Sequence, residues 1–164
     1  MQKNKIILAV SLLVPILALL FTSLNNQYIL STGKEMIFPI AAYDPRDLLA
    51  GHYLTYTIDY GVRDVCPIMD SKEFMPDAYI CLDTHAFSYD HQSNCNVYIK
   101  GKCAGNRFTA GVESFYTSER DAAELTQLLT ANKASIALSI LSNGNARVKY
   151  LLIDGKQWYP RGVN

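Results

Sequence analysis

The stretch NKIILAVSLLVPILALLFTSL, residues 4–24, decides how the rest of the chain is organised. Lys3 and Lys5 precede an apolar run that starts at Ile6 and reaches the roughly 20 residues that span a bilayer core. The run ends in bulky residues where a signal peptide carries small ones, which favours a retained anchor over a cleaved signal. Because flanking lysines stay in the cytoplasm, the sequence predicts that the chain after this anchor lies on the outer side of the membrane.

The length and composition of the chain after the anchor are typical of one small exported domain. We divide the chain into an anchor at 1–24, a polar stalk at 25–34 and a domain at 35–164, a length that suits one compact domain. Fifteen Lys and Arg residues balance fifteen Asp and Glu residues, without a block of like charge. This balance excludes the basic surface that nucleic acid requires.

Four cysteines lie in the exported part, where an oxidising compartment favours disulfides. They are Cys66, Cys81, Cys95 and Cys103. The sequence predicts two bridges and leaves three pairings open. Short local loops favour Cys66 with Cys81 and Cys95 with Cys103. A zinc site is disfavoured because the spacings lack C-x-x-C knuckles.

The exported domain has mostly strand patterns. Alternating or short apolar runs predict strands at 36–42, 53–60, 78–82, 96–102, 108–116, 134–141, 146–153 and 157–159. A capping box at Ser118 to Asp121 begins one amphipathic helix that ends near Asn132. The fold class is therefore a β-rich α+β fold: an N-terminal transmembrane helix, then one antiparallel-sheet extracytoplasmic domain with a single amphipathic helix.

A short helical turn is predicted between the first two strands. Asp44 provides an N-cap, Pro45 occupies the first helical position, and Asp47 follows three residues after the cap. Gly51 ends the turn, where we expect a positive φ. Tyr53 is expected to pack the turn against the sheet.

Three segments in this order resemble the GDYXXLXY family of bacterial membrane-anchored proteins, whose biochemical activity is not established. The first is DPRDLLAGHY at 44–53, similar to the family's D-P-R-D-x-L-R-G-D-Y signature, and we call it the signature turn. The second combines KGK at 100–102 with GVESFY at 111–116, and the third is LLIDGKQW at 151–158. The resemblance implies a bacterial single-pass inner-membrane protein with its C-terminal domain in the periplasm. It also implies a polytopic membrane protein as partner.

This chain departs from the family pattern inside the naming motif. His52 stands where the family has Asp, and Ala50 where it often has Arg. Tyr56 and Ile58 replace the later Leu and Tyr. If these positions bind a ligand, this member binds it differently.

The signature turn is also the predicted partner-binding surface. We assign to that surface Asp44, Arg46, Asp47, Gly51, His52 and Tyr53. The interpretation favoured for these residues is nevertheless structural, because helix capping already explains both aspartates and an exposed ion pair explains Arg46.

Two functions from different classes follow from these residues. The leading hypothesis is a non-catalytic accessory or binding module that needs no cofactor and no metal, and docks on the implied membrane partner. The alternative is an envelope hydrolase that uses the acids of the signature turn with His52. A third possibility, ligand or metal sensing, uses the loop at 83–94, which holds His85 and His91 beside Asp83 and Asp90.

Overall fold

The computed structural model describes residues 2–42, 53–63, 65–66, 76–90, 94–131 and 133–160. Two helices, α1 (Gln2–Thr32) and α2 (Glu119–Ala131), accompany ten strands. The strands are β1 (Lys34–Ala42), β2 (Tyr53–Ile58), β3 (Asp77–Cys81), β4 (Ala86–Ser88), β5 (Tyr98–Ala104), β6 (Arg107–Thr109), β7 (Ser114–Tyr116), β8 (Ala134–Ile140), β9 (Ala146–Ile153) and β10 (Lys156–Gln157). The predicted β-rich α+β class with an N-terminal apolar helix is confirmed.

The described strands form two antiparallel sheets. The larger sheet has the order β10-β9-β8-β1-β2-β7, and the smaller has the order β4-β3-β5-β6. Turns at Asn143-Gly144 and Asp154-Gly155 join the last three strands, with positive φ at Gly144, Asp154 and Gly155. Asp154 and Gly155 both have the left-handed conformation that a tight two-residue hairpin requires.

The core lies where the inner face of the larger sheet meets α2 and the smaller sheet. Phe38, Ile136 and Leu151 come from the larger sheet, and Ile80 and Ile99 come from the smaller one. Helix α2 adds Leu125 and Leu129 to this cluster. The helix begins as the capping box predicts, because Ser118 Oγ accepts the Asp121 N–H and donates to the Asp121 carboxylate at 2.7 Å.

The single strand predicted over 108–116 is wrong. The chain leaves the smaller sheet after Thr109 and joins the larger sheet at Ser114. Between them Gly111 has a φ of 77°, and the Glu113 carboxylate accepts three successive backbone N–H groups. This local turn breaks the strand and carries the chain from one sheet to the other.

The predicted stalk is helical and packs on the larger sheet. Helix α1 continues to Thr32, and Ile29 is only 2% exposed. The Ile29 carbonyl accepts hydrogen bonds from Ser139 Oγ at 2.6 Å and from the Gly33 N–H at 3.1 Å. A Cβ at Gly33 would collide with Ser139 Oγ, so only glycine allows this close approach. We call this contact the anchor junction.

The predicted disulfides are confirmed, but the favoured pairing is wrong. Cys66 is bonded to Cys103, and Cys81 to Cys95. The choice of short loops failed because the fold places Cys66 beside β5, far along the sequence. The second bridge joins β3 to the segment that precedes β5.

The structure and the disulfides agree on the kind of location. One described helix, over Ser11–Thr32, is long and apolar enough to cross a membrane. Two disulfides indicate an oxidising compartment, and hence an extracytoplasmic domain.

Candidate functional site

A cavity of about 270 Å³ opens between the second half of β2 and the edge of β6. We call it the cleft. Its lining combines threonines, an asparagine and charged groups with aromatic and aliphatic side chains. The lining residues are Thr55, Tyr56, Thr57, Ile58, Asp59, Tyr60, Val62, Val65, Asn106, Arg107, Phe108, Thr109 and Glu113.

One wall of the cleft is held rigid by Tyr56 and Glu113. The Tyr56 hydroxyl donates to the Val112 carbonyl at 2.6 Å, and the Tyr56 N–H donates to the Glu113 carbonyl at 3.1 Å. The Glu113 carboxylate accepts the N–H groups of Ala110, Gly111 and Val112 at 2.6, 2.8 and 2.9 Å. Both side chains therefore fix the crossing between the two sheets.

Tyr60 lies in the same wall with a hydroxyl that has no described hydrogen-bond partner. The residue is 8% exposed, and its ring packs edge-on against Phe38 and Phe108. A buried polar group without a partner costs about 1 to 3 kcal/mol. The oxygen has almost no accessible surface, so a ligand in the cavity would meet the ring of Tyr60 and not its hydroxyl.

The ionisation of these tyrosines favours hydrogen bonding over proton transfer. Burial raises the pKa of Tyr56, and the Glu113 charge raises it further. Burial likewise raises the pKa of Tyr60, with smaller contributions from Glu113 and Tyr56. Both phenols stay protonated near neutral pH and act as donors.

The carboxylates of the cleft are already bound to backbone amides. Asp59 Oδ1 accepts the Gly61 N–H at 2.8 Å, and Glu113 accepts the three amides of its turn. Each carboxylate thus has a structural role in the described part of the chain. The arrangement suits binding through neutral donors and apolar contact.

Most of the predicted partner-binding set lies outside the described residues. This applies to Asp44, Arg46, Asp47, Gly51 and His52, and the predicted positive φ of Gly51 stays a prediction. The backbone of Tyr53 begins β2 and pairs with Tyr116. Strand β2 therefore leads directly from the end of the signature turn to the cleft.

The segment 83–94, proposed as a sensing loop, is not all loop, because it contains strand β4, which pairs with β3. Asp83 ties this segment to its neighbours. One Asp83 oxygen accepts the N–H groups of Asn96 and Val97 at 2.9 and 3.1 Å. Asp83 also lies within 4.8 Å of the sulfur atoms of Cys81 and Cys95. Because those sulfur atoms form a disulfide, they are not thiolate ligands. His91 lies outside the described residues.

The comparison with known families matches the GDYXXLXY protein family over residues 15–151. The match covers most of the chain. The chain belongs to the GDYXXLXY protein family. No curated protein and no solved structure matches it significantly.

The family's naming motif leads into the cleft. The motif aligns with residues 51–58, so Tyr56 and Ile58 occupy its last two specified positions. Both residues line the cleft. The departures from the family motif at Tyr56 and Ile58 therefore change the lining of the cleft.

Sequence reasoning did not identify Tyr60, Glu113 or Phe108 as members of one site. These residues come from separate segments that only the crossing between the sheets brings together. A partial signal was present, because Glu113 lies in the GVESFY segment of the family resemblance. No sequence pattern indicated that the Tyr60 hydroxyl would be buried without a partner among the described residues.

Proposed function

We propose that this GDYXXLXY protein is a non-catalytic accessory or binding module held in the bacterial inner membrane, with its C-terminal domain in the periplasm. The domain docks on a polytopic membrane partner through the signature turn and the cleft. The polytopic partner is itself part of this proposal, and the family resemblance is the reason for including it.

The observation that carries this proposal is the cleft beside β2. It combines apolar and neutral polar side chains with carboxylates already held by backbone amides. That combination favours recognition over acid-base catalysis. The anchor junction adds support, because it fixes the exported domain directly to the membrane helix.

Co-purification of the full chain in mild detergent tests the proposal. We expect a polytopic membrane protein to accompany the wild-type chain in stoichiometric amounts. Recovery of the chain alone, after in-cell cross-linking before solubilisation, would remove the proposal.

Arg46→Ala locates the docking surface within the same assay. If the signature turn docks on the partner, this variant loses the partner at an unchanged melting temperature. Lys156→Ala is the matched control, because it removes a positive charge from β10 at the opposite edge of the larger sheet. Equal recovery with both variants would exclude Arg46 from the docking surface.

A further inference from the structure

We propose that the cleft binds an extended peptide segment of a partner protein, which adds a strand beside β2 and also contacts β6. This inference rests on the proposed binding function and names the chemistry of the partner at this site. Peptide addition to a sheet edge obtains its affinity from main-chain hydrogen bonds and its specificity from side-chain pockets.

Strand β2 has backbone groups that point away from β1. In an antiparallel pair, successive residues direct their backbone groups alternately toward one neighbour and the other. The Asp59 N–H points to β1, where it donates to the Pro39 carbonyl at 3.0 Å. The Tyr56 N–H points to the opposite side, where it donates to Glu113. The backbone groups of Ile58 therefore also point away from β1.

That side of β2 is covered over only part of its length. Strand β7 pairs with Tyr53 to Thr55, and Glu113 reaches Tyr56. No strand among the described residues pairs with Ile58 on this side. The uncovered edge coincides with the cleft, because Ile58 is one of its lining residues.

Strand β6 has backbone groups that point away from β5. Strand β6 is the last strand of the smaller sheet and pairs with β5. The hairpin has two loop residues, so its first pair, Ala104 with Arg107, is hydrogen-bonded and the next, Cys103 with Phe108, is not. The backbone groups of Phe108 therefore point away from β5. No second strand pairs with β6 in the part of the chain that the structure describes.

The space between these two edges suits an extended peptide. An extended peptide presents N–H and C=O groups alternately on both sides, which suits edges that flank one cavity. Val62, Tyr60 and Phe108 line the cavity and offer apolar contact to such a peptide. At about 270 Å³ the cleft lies below the usual range of about 300 to 1,000 Å³ for ligand pockets. The cleft can therefore hold only the part of an extended segment that passes between the two edges.

The experiment uses the full chain in detergent and a phage-displayed library of random dodecapeptides as the probe. Enriched peptides are synthesised, and their Kd is measured by fluorescence anisotropy. Thr57→Arg places a long charged side chain on the lining of the cleft, and we expect it to weaken binding by roughly tenfold or more. Gln157→Arg is the matched control, since it adds the same side chain on β10, outside the cleft. We expect it to leave the Kd unchanged.

Amide hydrogen exchange locates the bound peptide independently of any variant. Binding should slow exchange at the amides of Ile58 and Phe108. The Gln157 amide should be unaffected, because it points outward from β10 at the other edge of the larger sheet. Failure to enrich any peptide, or protection that spares Ile58 and Phe108, overturns the inference.

The outcome separates this inference from the proposed function. If the wild-type chain recovers its membrane partner but no peptide protects the two edges, the inference fails and the binding function stands. If peptides bind at the cleft while no membrane partner is recovered, the docking proposal fails and the peptide site stands.

Discussion

The anchor junction and the cleft lie at different places on the larger sheet and are built in opposite ways. At the junction the Ile29 carbonyl accepts two hydrogen bonds, Ser139 is fully buried, and Gly33 leaves no room for a side chain. At the cleft a buried hydroxyl lacks a described partner beside a cavity.

The difference is the one expected between a structural contact and the recognition surface that we propose. Satisfied polar groups and close packing stabilise one arrangement, so the junction orients the exported domain on its helix. An unsatisfied donor and an uncovered strand edge lower stability unless something binds them. Substitutions should therefore lower stability at the junction, while removal of the Tyr60 hydroxyl, which has no partner among the described residues, should not.

The largest expected effect comes from the disulfide that supports the cleft. Cys66 follows Val65, a lining residue, and its partner Cys103 lies in β5. In the chain-entropy model, the Cys66–Cys103 separation of 37 residues contributes about 4 kcal/mol to the free energy of unfolding. The 14-residue separation of the other bridge contributes about 3 kcal/mol.

Urea unfolding of the two paired Cys→Ala variants checks this order. The variant without Cys66 and Cys103 should unfold at the lower urea concentration. A larger loss for the variant without Cys81 and Cys95 would show that the bridge beside the cleft is not the main covalent support.

A substitution at the junction should have the next largest effect. Gly33→Ala forces a Cβ against Ser139 and against the backbone of Ile29 and Ile140, at 2.8 and 2.9 Å. Overpacking of this kind costs about 1 to 3 kcal/mol. Ser31→Ala, at an exposed position of the same helix, is the control. Equal melting temperatures for both variants would contradict a tightly packed junction.

The sequence predicted the features that arise from local interactions and missed most of those that arise from contacts between distant segments. The β9 strand at 146–153 and the start of α2 were predicted correctly, because alternation and a capping box are local signals. The helical stalk was missed, although 25–32 contains no proline or glycine to end α1. The disulfide pairing and the cleft depend on contacts between distant segments, which leave no local pattern.

Two tyrosine variants should change stability in opposite directions. Tyr60→Phe removes a buried hydroxyl that lacks a described partner, so the free energy of unfolding should rise or stay unchanged. Tyr56→Phe removes the bond to the Val112 carbonyl and should cost about 1 kcal/mol. Thermal melts of both variants measure the contrast. Destabilisation by Tyr60→Phe equal to that of Tyr56→Phe would mean that the hydroxyl has a partner in the folded chain.

The smallest expected effect concerns acid stability near the junction. Hydrogen bonds from Lys149 and Tyr150, each at 2.6 Å, lower the pKa of Glu35 below its usual value of 4.5. A lowered pKa in the folded state adds stability above pH 4.5 that is lost as the pH falls through the folded value. Lys149→Met should therefore make the melting temperature slightly less sensitive to pH between 5 and 3. Identical pH profiles would show that this exposed contact adds no stability.

Photo-crosslinking in living cells tests the central claim, that the cleft is the recognition surface of an anchored binding module. A benzophenone amino acid replaces Thr57, which lines the cleft, or Gln157, at the opposite edge of the same sheet. We predict a crosslink to a polytopic membrane protein from position 57 and none from position 157. The same product from both positions, or no product from position 57, would contradict the claim.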